Sequence, residues 1–458
     1  MGRRIALKSS HHDTIVAQAT ASGRGGIGIV RLSGDKAKCI AEKITQKKCF
    51  DKIAALTFFY DENNTVIDQG IILFFQNPHS FTGEDVVELQ AHGSSIVLSQ
   101  LIQAALKLGA RMANPGEFSL RAFLNKKIDL IQAESICDLI NAQSEQAAKS
   151  AVRSLQGEFS KKIKILHAAI TQLRMHVESA IDFPEEEIDF LSDSRTTELL
   201  QDTIDHVMKL KKQAKQGVLL QSGLHIVIAG KPNVGKSSLL NYLSGRDSAI
   251  VTDIPGTTRD ILRETIHLDG LPLHIVDTAG LRETNDLLEQ EGMKRAHAQI
   301  EQADLILLLV DAAETKSSAS SEIVKLFSFE KKSILFIKNK IDLTHEQPEM
   351  IVHANFIEIK LSIQKKLGLE LLINQLKNFA GFQSSEIDGF IARRRHVDAI
   401  SRTLTCLLHG QIELNMHHAG ELLAEDLRQA QLALSEITGE FSSDDLLGEI
   451  FSHFCVGK

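Results

Sequence analysis

The chain has 458 residues, of which 43% are hydrophobic, and no apolar run is long enough to span a bilayer, so about three soluble domains and no membrane association are expected. Its formal net charge is −8, with 59 acidic against 51 basic residues, which excludes a polycation and limits any RNA contact to a local patch. There is no Trp, and Tyr60 and Tyr242 are the only Tyr residues, which disfavours an extended base-stacking platform.

The cysteines are scattered and form neither a CxxC pair nor a zinc-ligand spacing. They are Cys39, Cys49, Cys137, Cys406 and Cys455. This odd set is typical of a reducing compartment and predicts a cytoplasmic protein. The first residues, MGRRIALKSSHHDT, lack the apolar core of a signal peptide, and His11-His12 is too isolated to predict a metal site.

An α+β domain is predicted over residues 1–118, because short β-like runs alternate with turn residues around one helix-like stretch, Ile96–Ala110. The β-like runs are 14–19, 27–32, 56–60, 70–75 and 86–90. Glycines between Gly23 and Gly28 could let the backbone approach a ligand or could simply form a tight turn, and spacing alone favours the turn. A lone His92 is likewise more typical of a structural histidine than of a ligand or base.

A helical domain is predicted in two segments, residues 119–216 and 384–458. Residues 119–183 contain no proline, and their apolar residues recur every three or four positions. This stripe is Leu155, Phe159, Ile163, Leu166, Ile170, Leu173 and Val177. The same spacing returns in Leu423, Leu427, Ala430, Leu434 and Ile437. The simplest architecture is one helical domain split in sequence by residues 217–383, and the alternative is a separate C-terminal bundle.

The inserted segment begins with the pattern of a strand, a glycine-rich turn and the start of a helix. An apolar run ends at Gly230, and Gly235-Lys236-Ser237 follows after four residues. Backbone N–H groups in such a turn can surround a β-phosphate, the lysine adds positive charge, and the serine hydroxyl can bind Mg²⁺. The turn and first helical residues predicted to bind nucleotide are Asn233, Val234, Gly235, Lys236, Ser237 and Ser238.

Two later strand ends complete a guanine-nucleotide site. The first ends in Asp277-Thr278-Ala279-Gly280, where the carboxylate can hold the Mg²⁺ shell and the glycine N–H can reach a γ-phosphate. The second ends in Asn339-Lys340-Ile341-Asp342. The Asp342 carboxylate can accept from guanine N1–H and N2–H₂, Asn339 can support the loop, and Lys340 can lie over the ring. These three ordered elements predict GTP as the ligand.

The group that positions the attacking water is not the usual glutamine, because Leu281 follows the Asp-x-x-Gly sequence. Spacing does not choose among the nearby candidates Glu283, Glu289, Gln290 and Glu291. It does not identify an arginine finger either. Arg259 and Arg282 are both candidates for that role.

The last residues, Cys455-Val-Gly-Lys458, place a thiol three positions from the final residue and close to a cation. Such a tail is usually a solvated end. A thiol beside a cation can also have a lowered pKa and act as a nucleophile or redox group.

The sequence resembles the tRNA-modification GTPases of the MnmE (TrmE) family from end to end. The resemblance is carried by Gly23–Gly34, Phe81–Gly93, Asn114–Asn125, the GTPase motifs and the terminal Cys-x-Gly-Lys. It implies a P-loop, Ras-like α/β GTPase domain inserted into an all-α domain, preceded by an α+β domain that binds folate and dimerises. It further implies a homodimer that acts with an FAD-dependent, MnmG/GidA-like partner to install an aminomethyl-type group on C5 of the wobble uridine of certain tRNAs.

The same resemblance assigns residues to each ligand. It implies a tetrahydrofolate derivative, in its 5-formyl or methylene form, bound by Arg31, Glu88, Lys127 and Lys458, with Cys455 as a functional thiol. It selects Glu289 as the catalytic residue for hydrolysis. It implies K⁺ held by Asn233, Thr252, Ile254 and Thr257, and Mg²⁺ held by Ser237 and Thr258. The remaining nucleotide contacts that it implies are Asp253, Pro255, Gly256 and Ser362.

A regulatory ribosome-assembly GTPase of the Era or Der type is the alternative function, since those proteins share the GTPase motifs. The sequence shows no KH-like Gly-x-x-Gly module and no second GTPase domain. Nothing in such a protein would explain the terminal Cys-x-Gly-Lys. The modification function is therefore favoured.

Overall fold

The structure is a computed structural model. It describes residues 13–142, 144–182, 194–245, 263–268, 271–277, 303–313, 333–353, 356–380, 389–417, 419–440, 444–455 and 457. Its Cα framework divides into two compact units. One contains Met1–Ile140, Ser154–Val207 and Ala399–Lys458, and the other contains Asn141–Arg153 and Met208–Asp398. In the part of the chain that is described, no helix combines the length and apolar character needed to cross a membrane.

The first unit begins with a six-stranded sheet in the order β3-β4-β5-β2-β1-β6. Its strands are β1 (Ile15–Gln18), β2 (Gly25–Ser33), β3 (Ala55–Tyr60), β4 (Val66–Phe75), β5 (Val86–Gly93) and β6 (Arg111–Met112). Helices α1 (Ala37–Thr45) and α2 (Ser95–Lys107) pack on this sheet and bury an apolar core with it. The predicted α+β domain is confirmed. Helix α1 and the short strand β6 were not predicted from the sequence.

Helix α3 (Glu117–Leu124) is fixed to the sheet by a largely buried ionic cluster. The Arg121 guanidinium, with 8% of its side chain exposed, donates to Glu117 and to Glu84, each at 3.0 Å. Arg111 also donates to Glu117 at 2.5 Å. Burial alone would raise the pKa of Glu117, but the hydrogen bonds from Arg111, the Asn114 backbone and Arg121 hold it below its usual value. The carboxylate therefore stays charged and holds α3 in place.

The predicted apolar stripe is real but is interrupted at its first turn. Helix α5 (Glu145–Leu155) ends before Gly157, whose φ of +88° is a left-handed conformation that favours glycine, and α6 (Glu158–Asp182) begins after it. The stripe residues from Phe159 to Val177 all lie on α6 and are buried. The other helices of the two helical segments are α4 (Leu130–Ile140), α7 (Ser194–Ser222), α11 (Arg394–His417), α12 (Gly420–Thr438) and α13 (Asp444–Ser452).

Helices α6 and α12 pack against each other within one unit, although the nucleotide-binding sequence separates them in the chain. Gln431 of α12 joins them, accepting from Arg174 at 2.9 Å and donating to Thr171 at 2.6 Å. The helical domain is therefore split in sequence, as predicted, and the alternative of a separate C-terminal bundle is wrong. The exact domain limits, 1–118, 119–216, 217–383 and 384–458, stay predictions.

The inserted domain is built on a seven-stranded sheet in the order β12-β13-β11-β10-β7-β9-β8. Its strands are β7 (Leu224–Gly230), β8 (Arg263–Leu268), β9 (Leu271–Asp277), β10 (Leu305–Asp311), β11 (Ser333–Asn339), β12 (Glu349–Val352) and β13 (Ile357–Lys360). Its described helices are α8 (Lys236–Ser244), α9 (Ile341–Thr344) and α10 (Leu369–Phe379). Strands β9, β7, β10, β11 and β13 run parallel. Their carboxyl ends therefore share one edge, where ligands of such sheets bind.

Candidate functional site

The turn after β7 has a backbone that only glycine can adopt at two positions. Gly230 has φ +151° and Gly235 has φ +104°. A Cβ on Gly230 would lie 2.4 Å from the Leu309 carbonyl oxygen, and a Cβ on Gly235 would lie 2.4 Å from Nδ2 of Asn339. The glycines of the motif therefore serve both the turn conformation and the close approach of Leu309 from β10 and of the Asn339 side chain from β11. Asn233, at φ +64°, is exposed at the tip of the turn.

Lys236 opens α8 and is folded back over the turn. Its Nζ donates to the carbonyl oxygens of Gly230 at 2.6 Å and Lys231 at 2.9 Å, and only 7% of the residue is exposed. The ammonium group is thus fixed above a turn at the N-terminus of a helix, which is an arrangement suited to phosphate oxygens. Ser237 and Ser238 follow in the first turn of α8 and are exposed.

Asn339 connects the phosphate turn with the loops that would surround the base. Its Nδ2 donates to the Val234 carbonyl oxygen at 2.8 Å, and its Oδ1 accepts from the Ile363 N–H at 3.1 Å. The side chain is buried, so both of its polar atoms are satisfied by backbone groups from distant segments. The Ser362 hydroxyl meanwhile donates to Oδ1 of Asp342 at 2.5 Å. The predicted residues Asn339, Asp342 and Ser362 therefore lie close together.

Lys340 has a partner that was not predicted from the sequence. Its Nζ donates to Oδ2 of Asp311, the last residue of β10, at 2.7 Å. Burial by itself would raise the pKa of Asp311, but the hydrogen bonds from Lys340 and from the Ala313 N–H hold it below its usual value. The carboxylate is therefore ionised at neutral pH. The sequence did contain a signal for Asp311, because it is an acidic residue that directly follows an apolar run.

These loops enclose a cleft of about 870 Å³, which lies within the size range of small-molecule sites. The predicted residues in its wall are Asn233, Gly235, Ser238, Asn339 and Lys340. The wall also contains residues that were not predicted. These are Asn241, Tyr242, Gly245, Ile363, Gln364 and Lys366.

Several predicted nucleotide and metal residues lie outside the described part of the chain. They are Thr252, Asp253, Ile254, Pro255, Gly256, Thr257, Thr258, Thr278, Ala279, Gly280 and Glu289. The other candidates for orienting water, Glu283, Gln290 and Glu291, and the arginine candidates, Arg259 and Arg282, lie outside it as well, as does Leu281. Of Asp277 only the backbone is described. It ends β9 and pairs with Ile228 of β7, which places it at the same sheet edge as the phosphate turn.

A second cluster lies in the other unit, where the C-terminal residues meet the six-stranded sheet. Arg31 of β2 pairs with Glu88 of β5, with Nη2 and Oε1 2.8 Å apart. The guanidinium also lies over the Phe118 ring, with its Cζ 5.9 Å from the ring centroid, and Nη1 donates to the Gly457 carbonyl oxygen at 3.5 Å. The predicted Arg31 and Glu88 therefore lie together beside the chain end.

The C-terminal segment is packed against the protein. The Gly116 N–H donates to the Cys455 carbonyl oxygen at 3.3 Å. Gly457 has φ +98°, and a Cβ there would lie 2.1 Å from the Gln18 carbonyl oxygen. This docking does not fit the interpretation of a freely solvated end. The Cys455 thiol is nevertheless exposed, and Lys458 lies outside the described residues.

Lys127 and His92 have different surroundings. The Lys127 Nζ donates to the Pro78 carbonyl oxygen at 2.9 Å, in a loop that Asn125 also holds. His92 is 74% exposed, and its Nδ1 lies 2.9 Å from the Asp68 carboxylate. That pairing matches the structural role that was favoured for His92.

Comparison with known proteins identifies relatives along almost the whole chain. A family model described as the MnmE helical domain matches residues 130–455, and one described as the GTP-binding protein TrmE N-terminus matches residues 14–127. A tRNA modification GTPase MnmE of Coxiella burnetii is 57% identical over 449 residues, covering 97% of this chain and 99% of that protein. One from Proteus mirabilis is 54% identical over 450 residues with the same coverage.

Among solved structures, the G domain of the T. maritima FeoB iron transporter aligns at a TM-score of 0.26 and 24% identity, covering 34% of this chain and 98% of that one. Era from Aquifex aeolicus aligns at a TM-score of 0.27 and 25% identity, covering 40% of this chain and 66% of that one. More than half of the residues are identical to those of relatives matched over nearly their full length, and both family models match as well. These two findings establish the family. The chain belongs to the MnmE (TrmE) family of tRNA modification GTPases.

Proposed function

We propose that the protein is a K⁺-activated GTPase that acts with an FAD-dependent, MnmG/GidA-like partner and uses a tetrahydrofolate one-carbon unit to install an aminomethyl-type group on C5 of the wobble uridine of certain tRNAs. The observation that supports it most is 57% identity to a tRNA modification GTPase over 97% of the chain. In this proposal GTP binds in the cleft beside β7, and the folate derivative binds at the cluster around Arg31.

GTP would occupy the cleft with its phosphates at the turn between Gly230 and Lys236. The ammonium of Lys236 would bind the β- and γ-phosphates, and the Ser237 hydroxyl would bind the Mg²⁺ ion that neutralises their charge. At the other end, Asp342 would accept from guanine N1–H and N2–H₂. Because the Ser362 hydroxyl already donates to one Asp342 oxygen, the carboxylate is oriented before the base arrives.

Hydrolysis needs a water-orienting group and a positive charge near the transferred phosphate. We assign the first role to Glu289, since Leu281 cannot orient water. K⁺ would supply the charge, held by Asn233, Thr252, Ile254 and Thr257, with Thr258 on Mg²⁺. The exposed Asn233 at the tip of the phosphate turn fits such a cation, because its amide oxygen is a hard ligand and the residue lines the cleft.

The folate derivative is assigned to the cluster in the six-stranded domain. The Glu88 carboxylate can accept from paired N–H groups of a pterin ring, and the Arg31 cation can meet a carbonyl or carboxylate oxygen. Lys127 and Lys458 would add positive charge for the acidic end of the ligand. Cys455 would stand at the edge of this site, since its backbone is docked on Gly116.

The same proposal includes a homodimer formed through the N-terminal domain, tRNA as substrate and a cytoplasmic location. A regulatory ribosome-assembly GTPase of the Era or Der type is not favoured. The relatives named tRNA modification GTPase MnmE match this chain over nearly their full length, including the N-terminal and helical segments outside the GTPase domain.

Analysis of tRNA tests the function as a whole. In cells that lack this protein, the wobble uridine of the affected tRNAs is expected to lose its C5 substituent, and a plasmid copy of the gene should restore it. Nucleoside mass spectrometry of purified tRNA measures both. An unchanged wobble uridine in the deletion strain would contradict the proposal.

K⁺ activation gives a separate prediction. GTP turnover by the full chain is expected to be faster in K⁺ than in Na⁺ at equal ionic strength. In the proposal, only the larger cation is held by these ligands and places its positive charge beside the phosphates. Asn233→Ala should remove the difference by taking away an oxygen ligand. Asn378→Ala, at an exposed position of α10, is the control and should keep it. Equal rates in both salts for the unmodified protein would refute K⁺ activation.

A further inference from the structure

Asp311 and Lys340 form an ion pair at the edge of the nucleotide cleft. The two side chains come from the ends of adjacent parallel strands, since Asp311 of β10 lies opposite Asn339 of β11 and Lys340 follows directly. The carboxylate Oδ2 and the ammonium Nζ are 2.7 Å apart, and their side chains are 14% and 33% exposed. The pair is therefore partly shielded from water, and the lysine lines the cleft.

Asp311 is itself held by the backbone around it. Its second oxygen, Oδ1, accepts from the Ala313 N–H at 3.0 Å. The Ala312 N–H donates in turn to the Asn339 carbonyl oxygen at 2.8 Å. The carboxylate therefore projects from a segment that is tied to the same loop as Lys340, and its position relative to that loop is fixed.

A lysine side chain left alone would not stay over the base. It has a flexible stem of four carbons and carries about 2 kcal/mol of rotamer entropy. Loss of this entropy on binding would weaken the affinity for the ligand. Lys340 also has a left-handed backbone, with φ +65°, so its direction is set by the loop and not by a helix or strand. A charge partner that holds Nζ in advance lowers the entropy lost when the base is bound.

We infer that Asp311 is a positioning residue for guanine-nucleotide binding, which holds the Lys340 side chain along the wall of the cleft and thereby lengthens the residence time of GTP and GDP. The inference rests on the proposed guanine-nucleotide site and extends it to a residue outside the Asn-Lys-x-Asp sequence. Asp311 acts only through Lys340 and makes no contact with the base.

The test measures dissociation of a fluorescent GDP analogue from the full-length protein. Asp311→Asn keeps the shape of the side chain and removes its charge, and it is expected to raise the dissociation rate about tenfold, which corresponds to about 1.4 kcal/mol. Lys340→Met keeps the length of the stem and removes the ammonium group. The double variant should dissociate no faster than Lys340→Met alone, because Asp311 has no further effect once its partner is gone.

A nearby ion pair provides the matched control. Lys338 and Glu346 are also 2.7 Å apart and similarly shielded, but they do not line the cleft. Glu346→Gln should leave the dissociation rate unchanged. Binding of ribose 5′-triphosphate, which has the phosphates and no base, should be unaffected by Asp311→Asn, whereas a general distortion of the site would weaken it as much as GDP.

Two results would overturn the inference while leaving the nucleotide site intact. One is a dissociation rate for Asp311→Asn within twofold of the unmodified protein. The other is an increase in the double variant that equals the product of the two single increases. Failure of the unmodified protein to bind the GDP analogue would be a different result, because it would remove the guanine-nucleotide site itself.

Discussion

Replacing Asp342 by Asn is expected to weaken GTP binding by about 1.5–3 kcal/mol, which is the usual contribution of a hydrogen bond to a charged group. Xanthine has a carbonyl oxygen where guanine has its N2 amino group, so the Asn amide could donate to it. Xanthosine triphosphate should gain a similar amount, so the difference between the two binding free energies should change by about 3–6 kcal/mol in total. Competition of both nucleotides against a fluorescent GDP analogue measures this ratio.

The surroundings of Asp342 can accept Asn without other structural changes. The Ser362 hydroxyl donates to Oδ1 at 2.5 Å, and an amide oxygen in the same place can accept that bond. Asn is therefore accommodated without loss of the local contact. Glu349→Gln, at an exposed carboxylate on β12, is the control and should change neither affinity. Unchanged GTP affinity in Asp342→Asn would place the guanine-reading group elsewhere.

The phosphate turn could be predicted from the sequence because its conformation is decided locally. Gly230 and Gly235 have positive φ values, Lys236 starts a helix, and each of these features needs only a few neighbouring residues. The strand ends at Asp277 and Asn339 were also found, since an apolar run that stops at a polar residue indicates where a parallel strand ends.

Contacts between distant segments could not be predicted in the same way. The bond from Asn339 to the Val234 carbonyl joins residues 105 positions apart, and the pair of Lys340 and Asp311 depends on β10 lying beside β11. Strand order follows from the packing of the whole sheet, which no local pattern contains. The cleft residue Tyr242 was missed because it belongs to no recognisable sequence motif.

Helix boundaries show a different limit. Periodicity identified the apolar stripe but not the break at Gly157, since a single glycine inside a helical pattern is tolerated in some helices and ends others. The helix α1 was missed because it is short and has no acidic residue in its first turn. In both cases the packing partners decide the outcome, and these come from other parts of the chain.

The C-terminal segment is the clearest example, because sequence alone favoured a solvated end. Arg31 and Gly457 are 426 positions apart, and yet the guanidinium donates to the glycine carbonyl oxygen. Gly457 can lie there only because it has no side chain, since a Cβ would be 2.1 Å from the Gln18 carbonyl oxygen. The docked segment places the exposed Cys455 thiol beside the domain to which we assign the folate derivative.

Cys455→Ser is therefore expected to reduce tRNA modification by about a hundredfold or more, which is the scale of losing a group that takes part directly in chemistry. GTP binding and K⁺-stimulated hydrolysis should remain near those of the unmodified protein, because the nucleotide cleft lies in a different compact unit. Nucleoside mass spectrometry of tRNA treated with the reconstituted enzyme measures modification, and phosphate release from GTP measures hydrolysis.

Two further variants distinguish the chemical role of the Cys455 thiol from the effect of its position. Cys39→Ser removes another exposed thiol, on α1, and should change neither activity. Gly457→Ala keeps the Cys455 thiol but forces the backbone away from Gln18, because the new Cβ cannot fit against the carbonyl oxygen. If position matters as much as chemistry, Gly457→Ala should reduce modification as Cys455→Ser does and leave hydrolysis intact. Normal modification in Cys455→Ser would remove the thiol from the mechanism, and a joint loss of hydrolysis would indicate a folding or dimerisation defect.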